Sequence, residues 1–129
     1  KEDKNIRVTK VSSYIETEPY GYTEQDEFLN CCTAIETIYS PHTLLKTVNS
    51  IEMSADRKRE IHWGPRTLDI DIVLYDNIIL NDTKLTIPHI DMENRFFVLK
   101  PLCEIAPYAI NPVNNRSVKQ MYADLKNSI

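Results

Sequence analysis

The segment HWGPRTLDIDIVLY, His62 to Tyr75, constrains this chain more than any other stretch. From Thr67 onward aliphatic residues alternate with polar ones, the period of a strand with one buried face, so a strand is predicted over Thr67 to Tyr75. Alternation puts Leu68, Ile70, Ile72 and Leu74 on one face and Thr67, Asp69, Asp71 and Val73 on the other. Asp69 and Asp71 then share a face, with Cα atoms about 7 Å apart. Two readings of the pair are open. It is the solvated outer face of an edge strand, or it is a pair of hard oxygen ligands converging on a cation. Left unpaired on a half-buried surface, the two carboxylates would repel and raise each other's pKa. Magnesium suits the second reading, because it keeps several waters and takes one or two carboxylates along with phosphate oxygens.

The residues before the strand favour a cation site. Arg57, Lys58, Arg59 and Arg66 crowd together with His62 in a chain whose formal net charge is -4. By itself such a run is a solvated loop, but cations beside a two-carboxylate site are the combination that phosphoryl transfer uses. Trp63 offers a flat face for a base or heterocycle, or plain packing, and Gly64-Pro65 turns the loop into the strand. Gly21 and Gly64 are the only glycines, so neither a Walker loop nor a GxGxxG turn can be built. Phosphates would have to be held by side chains and metal.

The rest of the chain narrows the class. At 129 residues it fits one domain. Its acidic balance gives no general attraction to nucleic acid or to an anionic membrane. No stretch approaches the roughly 18 apolar residues of a membrane span, and the opening KEDKNIR has no apolar segment. Cys31, Cys32 and Cys103 make an odd number without a CxxC pair, which reads as reduced core thiols in a cytoplasmic protein. Strand and helix patterns alternate as in an α+β layer structure. Strands are predicted at Ile6 to Glu16 and Phe28 to Ile38, around a polar loop from Thr17 to Glu27. Ser40-Pro41 opens a helix to about Asp56 with Leu44, Leu45, Val48 and Ile51 on one face. Asp76-Asn77 signals a short hairpin. Helices follow at Glu93 to Ala106, interrupted or kinked near Pro101, and at Ser117 to Lys126.

Four stretches carry a resemblance: SSYIETEPYGYTEQDEFLN, WGPRTLDIDIVLY, LTIPHIDMENRFFVLKPLCEIAP and the helix between the first two. From about Val8 to Pro112, without large gaps, they resemble the 6-hydroxymethyl-7,8-dihydropterin pyrophosphokinases of folate biosynthesis. The resemblance implies a ferredoxin-like α+β sandwich, an antiparallel sheet with helices packed on it. It also implies transfer of diphosphate from ATP to the pterin hydroxymethyl group, with AMP released and two Mg2+ ions bound. Asp69 and Asp71 fall at the metal ligands, in agreement with the strand argument, and Arg59, Arg66, Asp69 and Asp71 at the catalytic positions. ATP would be held by Asn49, Glu52, Arg59, Trp63, Arg66, Ile72, Lys84, Thr86, His89 and Arg95. The pterin would be held by Thr17, Tyr20, Phe28, Asn30, Trp63, Asp69 and Phe97. Asn30 can both donate to and accept from a pterin edge. The implied chemistry is in-line attack of the substrate hydroxyl on the β-phosphorus, with Asp69 the one candidate for a general base.

The chain departs from the family pattern in places. Asp56 stands where glycine is frequent, the arginine loop is one residue shorter, and His62, Lys84 and Ile90 replace arginine, arginine and an aromatic residue. The family also begins with a strand, a Gly-Ser-Asn turn and a helix, so residues 1–129 read as a single pyrophosphokinase domain truncated at its N-terminus. Fusion to, or association with, another folate-pathway enzyme is compatible with this. The alternatives are a non-catalytic pterin- or nucleotide-binding module, which would lose the metal and arginine groups, and an RNA-binding domain of the same fold, which would need a broadly basic face.

Overall fold

The computed structural model describes residues 3–17, 28–57 and 68–128, with Thr17, Phe28, Asp56 and Arg57 in backbone only. Both predicted N-terminal strands form, and both break in the middle. β1 (Ile6–Val11) pairs antiparallel with β4 (Thr33–Thr37), and β2 (Ile15–Thr17) with β3 (Phe28–Asn30). The breaks coincide because Ser12 and Cys32 face each other across the pair. Ser12 N donates to Cys32 O at 2.9 Å, but Cys32 N donates to the Ser12 hydroxyl at 2.8 Å. A side-chain oxygen thus replaces a main-chain carbonyl in the ladder and the two hairpin arms part company. Within β1–β4 the register shifts between Val8 and Lys10, and the Thr9 hydroxyl there donates to Ala34 O.

α1 (Pro41–Arg57) starts as predicted, with the Ser40 hydroxyl accepting from Thr43 N and Pro41 in the first helical position. Its buried row is Leu44, Val48 and Glu52, spaced i, i+4, i+8, while Ile51 stays exposed. The expected stripe through Ile51 is therefore rotated, and a carboxylate takes the third buried position.

Leu68 to Tyr75 makes no ladder with any described strand, a correction to the expected strand, whose first residue, Thr67, lies outside the described residues. The strand alternation survives from Asp69 to Ile72, the aspartates exposed and the isoleucines half-buried. It then stops, because Val73 and Leu74 both pack against the same core. Asp76-Asn77 does turn the chain, with Ile78 N donating to Tyr75 O and Asp76 at φ 49. The paired strands come later, as β5 (Leu80–Asn81) and β6 (Thr86–Ile87).

The predicted helix over Glu93 to Ala106 splits into a short 3-10 helix (Met92–Asn94) and α2 (Phe96–Ile105), separated by an extended Arg95. Pro101 lies inside α2. β7 (Ile110–Asn111) and β8 (Arg116–Ser117) pair and lead into α3 (Val118–Asn127), where the Ser117 hydroxyl caps the helix by accepting from Gln120 N at 3.1 Å. α2 and α3 bury Leu99, Leu102, Val118 and Met121 together with Met92. With three α-helices and four two-stranded antiparallel sheets among the described residues, the chain is α+β. No described helix is long and apolar enough to cross a membrane. Cys32 and Cys103 lie against the core as expected, whereas Cys31 is exposed.

Candidate functional site

Asp69 and Asp71 are held by what surrounds Ile70 and Val73 rather than by a ladder. Ile70 N donates to the carboxylate of Glu52 at 2.5 Å, tying the segment to α1. Three residues on, Val73 O accepts from His89 N at 2.9 Å. The Tyr75 hydroxyl donates to Tyr39 O, just ahead of α1. Main-chain groups that a neighbouring strand would normally satisfy are thus met by a buried carboxylate and by the chain around His89. The two aspartates are exposed on a segment pinned between them at Ile70 and beyond them at Val73 and Tyr75.

His89 faces this pair. Its Nδ1 accepts from Asp91 N at 3.3 Å, so the neutral ring carries its proton on Nε2. Nε2 lies 4.0 Å from Asp71 Oδ2. Asp91 continues outward to Arg95, with Nη2 3.8 Å from Oδ2, and the Arg95 guanidinium sits 5.5 Å from the centre of the Phe97 ring. An ordered line of polar groups thus runs from the aspartates to an aromatic face. A pocket of about 200 Å³ adjoins it, walled by Thr86, Ile87, Pro88 and His89 on one side and by Met92, Glu93 and Asn111 on another.

Other expected residues are spread over neighbouring elements. Lys84 is exposed at the β5–β6 turn, and the Thr86 hydroxyl donates to Asn81 Oδ1 at 3.4 Å. Asn49 is exposed on α1, Asn30 half-buried at the end of β3, and Ile72 half-buried beside the aspartates. Thr17 and Phe28 pair through their backbones. Tyr20, Arg59, Trp63 and Arg66 lie outside the described residues. Among the described residues no group of three or more His, Cys, Asp or Glu side chains could hold a metal.

The sequence profile described as "7,8-dihydro-6-hydroxymethylpterin-pyrophosphokinase (HPPK)" matches residues 1–107, most of the chain. The chain belongs to this family. The "2-amino-4-hydroxy-6-hydroxymethyldihydropteridine pyrophosphokinase" of Methylorubrum extorquens is 42% identical over 120 residues, 93% of this chain and 75% of that protein. The protein of the same name from Bacillus subtilis is 46% identical over 100 residues, 78% of this chain and 60% of that one. The "Bifunctional protein FolKE" of Lactococcus lactis is 44% identical over 100 residues. The match takes in 78% of this chain but only 29% of FolKE's length, so the chain spans under a third of that bifunctional relative.

Family membership leaves two contacts that were not expected from the sequence. Glu52, named above for the ATP side, is only 7% exposed, and its carboxylate accepts from Ile70 N. A polar residue at i+8 of an otherwise apolar helix stripe is a signal that could have found it. Asp91, linking His89 to Arg95, lies only two and four residues from them, and its i,i+4 spacing to Arg95 is the one signal for it.

Proposed function

We propose that the chain transfers the diphosphate of ATP to the hydroxymethyl group of 6-hydroxymethyl-7,8-dihydropterin, releasing AMP, within folate biosynthesis. The observation that carries the reading is the exposed Asp69–Asp71 pair on a segment fastened by Glu52 and His89, in a chain of the pyrophosphokinase family. The names of the Methylorubrum and Bacillus relatives support the reaction. FolKE supports association with a second folate-pathway activity. Residence in the cytoplasm and a ferredoxin-like arrangement of the sheet belong to the same reading, the latter supported by the antiparallel β1–β4 pair and the packed α2 and α3.

The donor set fits magnesium. Two exposed carboxylates, with no group of three or more His, Cys, Asp or Glu ligands among the described residues, suit an ion that completes its shell with phosphate oxygens and water. Asp69 and Asp71 would hold two such ions, which when bound supply neutralisation of phosphate charge. The remaining work falls to side chains. Lys84, Thr86, His89 and Arg95 would meet phosphate and nucleotide as donors, with Arg59, Arg66, Asn49, Glu52, Ile72 and Trp63 completing that side. The His89 tautomer places its Nε2–H as a donor toward Asp71 and toward any anion bound there. Phe97, Phe28, Asn30, Thr17, Tyr20 and Trp63 would bind the pterin, Asn30 by pairing with the ring edge. Asp69, next to the hydroxymethyl group in this reading, would accept its proton.

Incubation with magnesium, ATP and the reduced pterin tests the reading. AMP formed in step with pterin diphosphate is the expected result, with none when the pterin or magnesium is omitted. ADP in place of AMP would point to single phosphoryl transfer and sink the proposal, and tight pterin binding without turnover would favour the non-catalytic module.

A further inference from the structure

The β5–β6 hairpin has a turn of the wrong chemistry. Asn81 pairs with Thr86, and Asp82 N donates to Leu85 O at 3.1 Å, so Thr83 and Lys84 form a two-residue tip. Two-residue hairpins favour turns with positive φ at the first tip residue, since those match the strand twist, and they place Asn or Gly there. Here the tip is Thr-Lys, and among the described residues only Asp76 and Asn115 are non-glycines with positive φ. Each strand is two residues long, too short to impose a geometry on the turn.

The Asp82 carboxylate supplies what the turn lacks. Oδ1 accepts from Lys84 N and Leu85 N, each at 2.9 Å. Oδ2 lies 2.7 Å from His42 Nε2, in the first turn of α1, forty residues away in the chain. These hydrogen bonds, the Lys84 amide foremost and His42 next, hold the Asp82 carboxyl below its ordinary pKa. Both side chains are nearly half exposed, so the pair contributes little to global stability. Its effect is local: one carboxylate sets the tip of a marginal hairpin and fastens it to a long helix. The same α1 holds Ile70 through Glu52, and the chain beyond β6 runs directly into Pro88 and His89.

We propose that His42 and Asp82 are positioning residues for nucleotide binding, fixing the β5–β6 turn on α1 so that Lys84 and Thr86 meet ATP in a preset geometry. The inference rests on the reading of Lys84 and Thr86 as ATP contacts. Neither His42 nor Asp82 touches substrate, so their loss weakens ATP binding and leaves the chemical step alone.

The test combines steady-state kinetics with amide hydrogen exchange. Asp82→Ala raises the KM for ATP about fivefold to tenfold, the equivalent of one or two lost side-chain hydrogen bonds, with kcat within about twofold of wild type. His42→Gln, a fold-neutral change on an exposed helix position, raises it about threefold by the same arithmetic. Faster exchange of the Lys84 and Leu85 amides in ligand-free Asp82→Ala shows that the turn has loosened. In a Lys84→Ala background the Asp82→Ala effect shrinks by at least about twofold, because only the part that acts through Thr86 remains. Wild-type KM in both His42→Gln and Asp82→Ala, with AMP still formed, overturns the positioning role while the reaction stands. Absence of AMP from the wild-type protein overturns the reaction and the positioning role with it.

Discussion

Glu52→Ala should damage the protein twice. The carboxylate is buried and accepts from Ile70 N at 2.5 Å, so truncation removes a charge-assisted hydrogen bond and leaves a half-buried amide without that acceptor. Such a bond contributes about 2 kcal/mol, which for a domain of this size lowers the melting temperature by roughly 6 °C. Ile70 lies between Asp69 and Asp71, so the segment that carries them also loses its tether to α1. A displacement of about 1 Å at a reacting centre can cost a hundredfold in rate, and turnover measured well below the melting transition should fall at least about tenfold. Glu52→Gln keeps the length and one acceptor oxygen, and should recover most of both losses. Calorimetry, AMP release and exchange of the Ile70 amide measure the three quantities separately. If Glu52→Ala melts within about 1 °C of wild type, the hydrogen bond is not supporting the segment. If it is destabilised yet fully active, the tether does not position the aspartates.

Asp69→Asn and Asp71→Asn should leave the fold intact, because both side chains are exposed, while lowering turnover at least about a hundredfold through loss of metal charge; near-normal AMP formation by both would remove the metal assignment. Leu99→Ala, at a residue with no exposed surface in the α2–α3 core, should cost about 3 to 4 kcal/mol in urea unfolding, and a loss below about 1 kcal/mol would contradict the packing described. Burial, with Cys31 adjacent, pushes the Cys32 thiol up to about 11. At pH 8 Cys32 is therefore almost wholly protonated, and alkylation followed by peptide mapping of a Cys31→Ser variant should find it nearly inert, its rate rising about tenfold per pH unit toward that value. Fast labelling of Cys32 at neutral pH would show that the thiol is not buried as described.

Local signals carried the helices and the exposure of the site. Ser40-Pro41 and Ser117 announced α1 and α3 because capping depends on residues within one turn. The alternation of LDIDI put two carboxylates on the face opposite the isoleucines, and the structure keeps them exposed beside half-buried Ile70 and Ile72 though no described strand pairs with the segment. What stayed hidden depends on groups far apart in sequence. The double break in the N-terminal strands needs Ser12 to meet Cys32, the rotation of the α1 stripe needs Glu52 to meet Ile70, and the split before α2 occurs at Arg95, a good helix former that is extended here. Residue types at those positions are compatible with the regular element, and tertiary contacts decide otherwise.

The two tethers on α1 explain why a helix at the edge of the candidate site matters to its chemistry. Glu52, in the C-terminal half of α1, holds the segment of the aspartates, and His42, in its first turn, holds the hairpin that leads to His89. Those two held segments then meet, through His89 N on Val73 O and through His89 Nε2 facing Asp71. A closed circuit results, from α1 to the aspartates to His89 to the hairpin and back to α1, and the stretch of α1 from His42 to Glu52 forms one side of it. In such a circuit the separation of Lys84 from Asp71 is set by the helix rather than by the flexibility of the intervening chain. On the proposed reading, the carboxylates and Lys84 then hold their spacing before ATP arrives, the preorganisation that electrostatic catalysis of phosphoryl transfer requires.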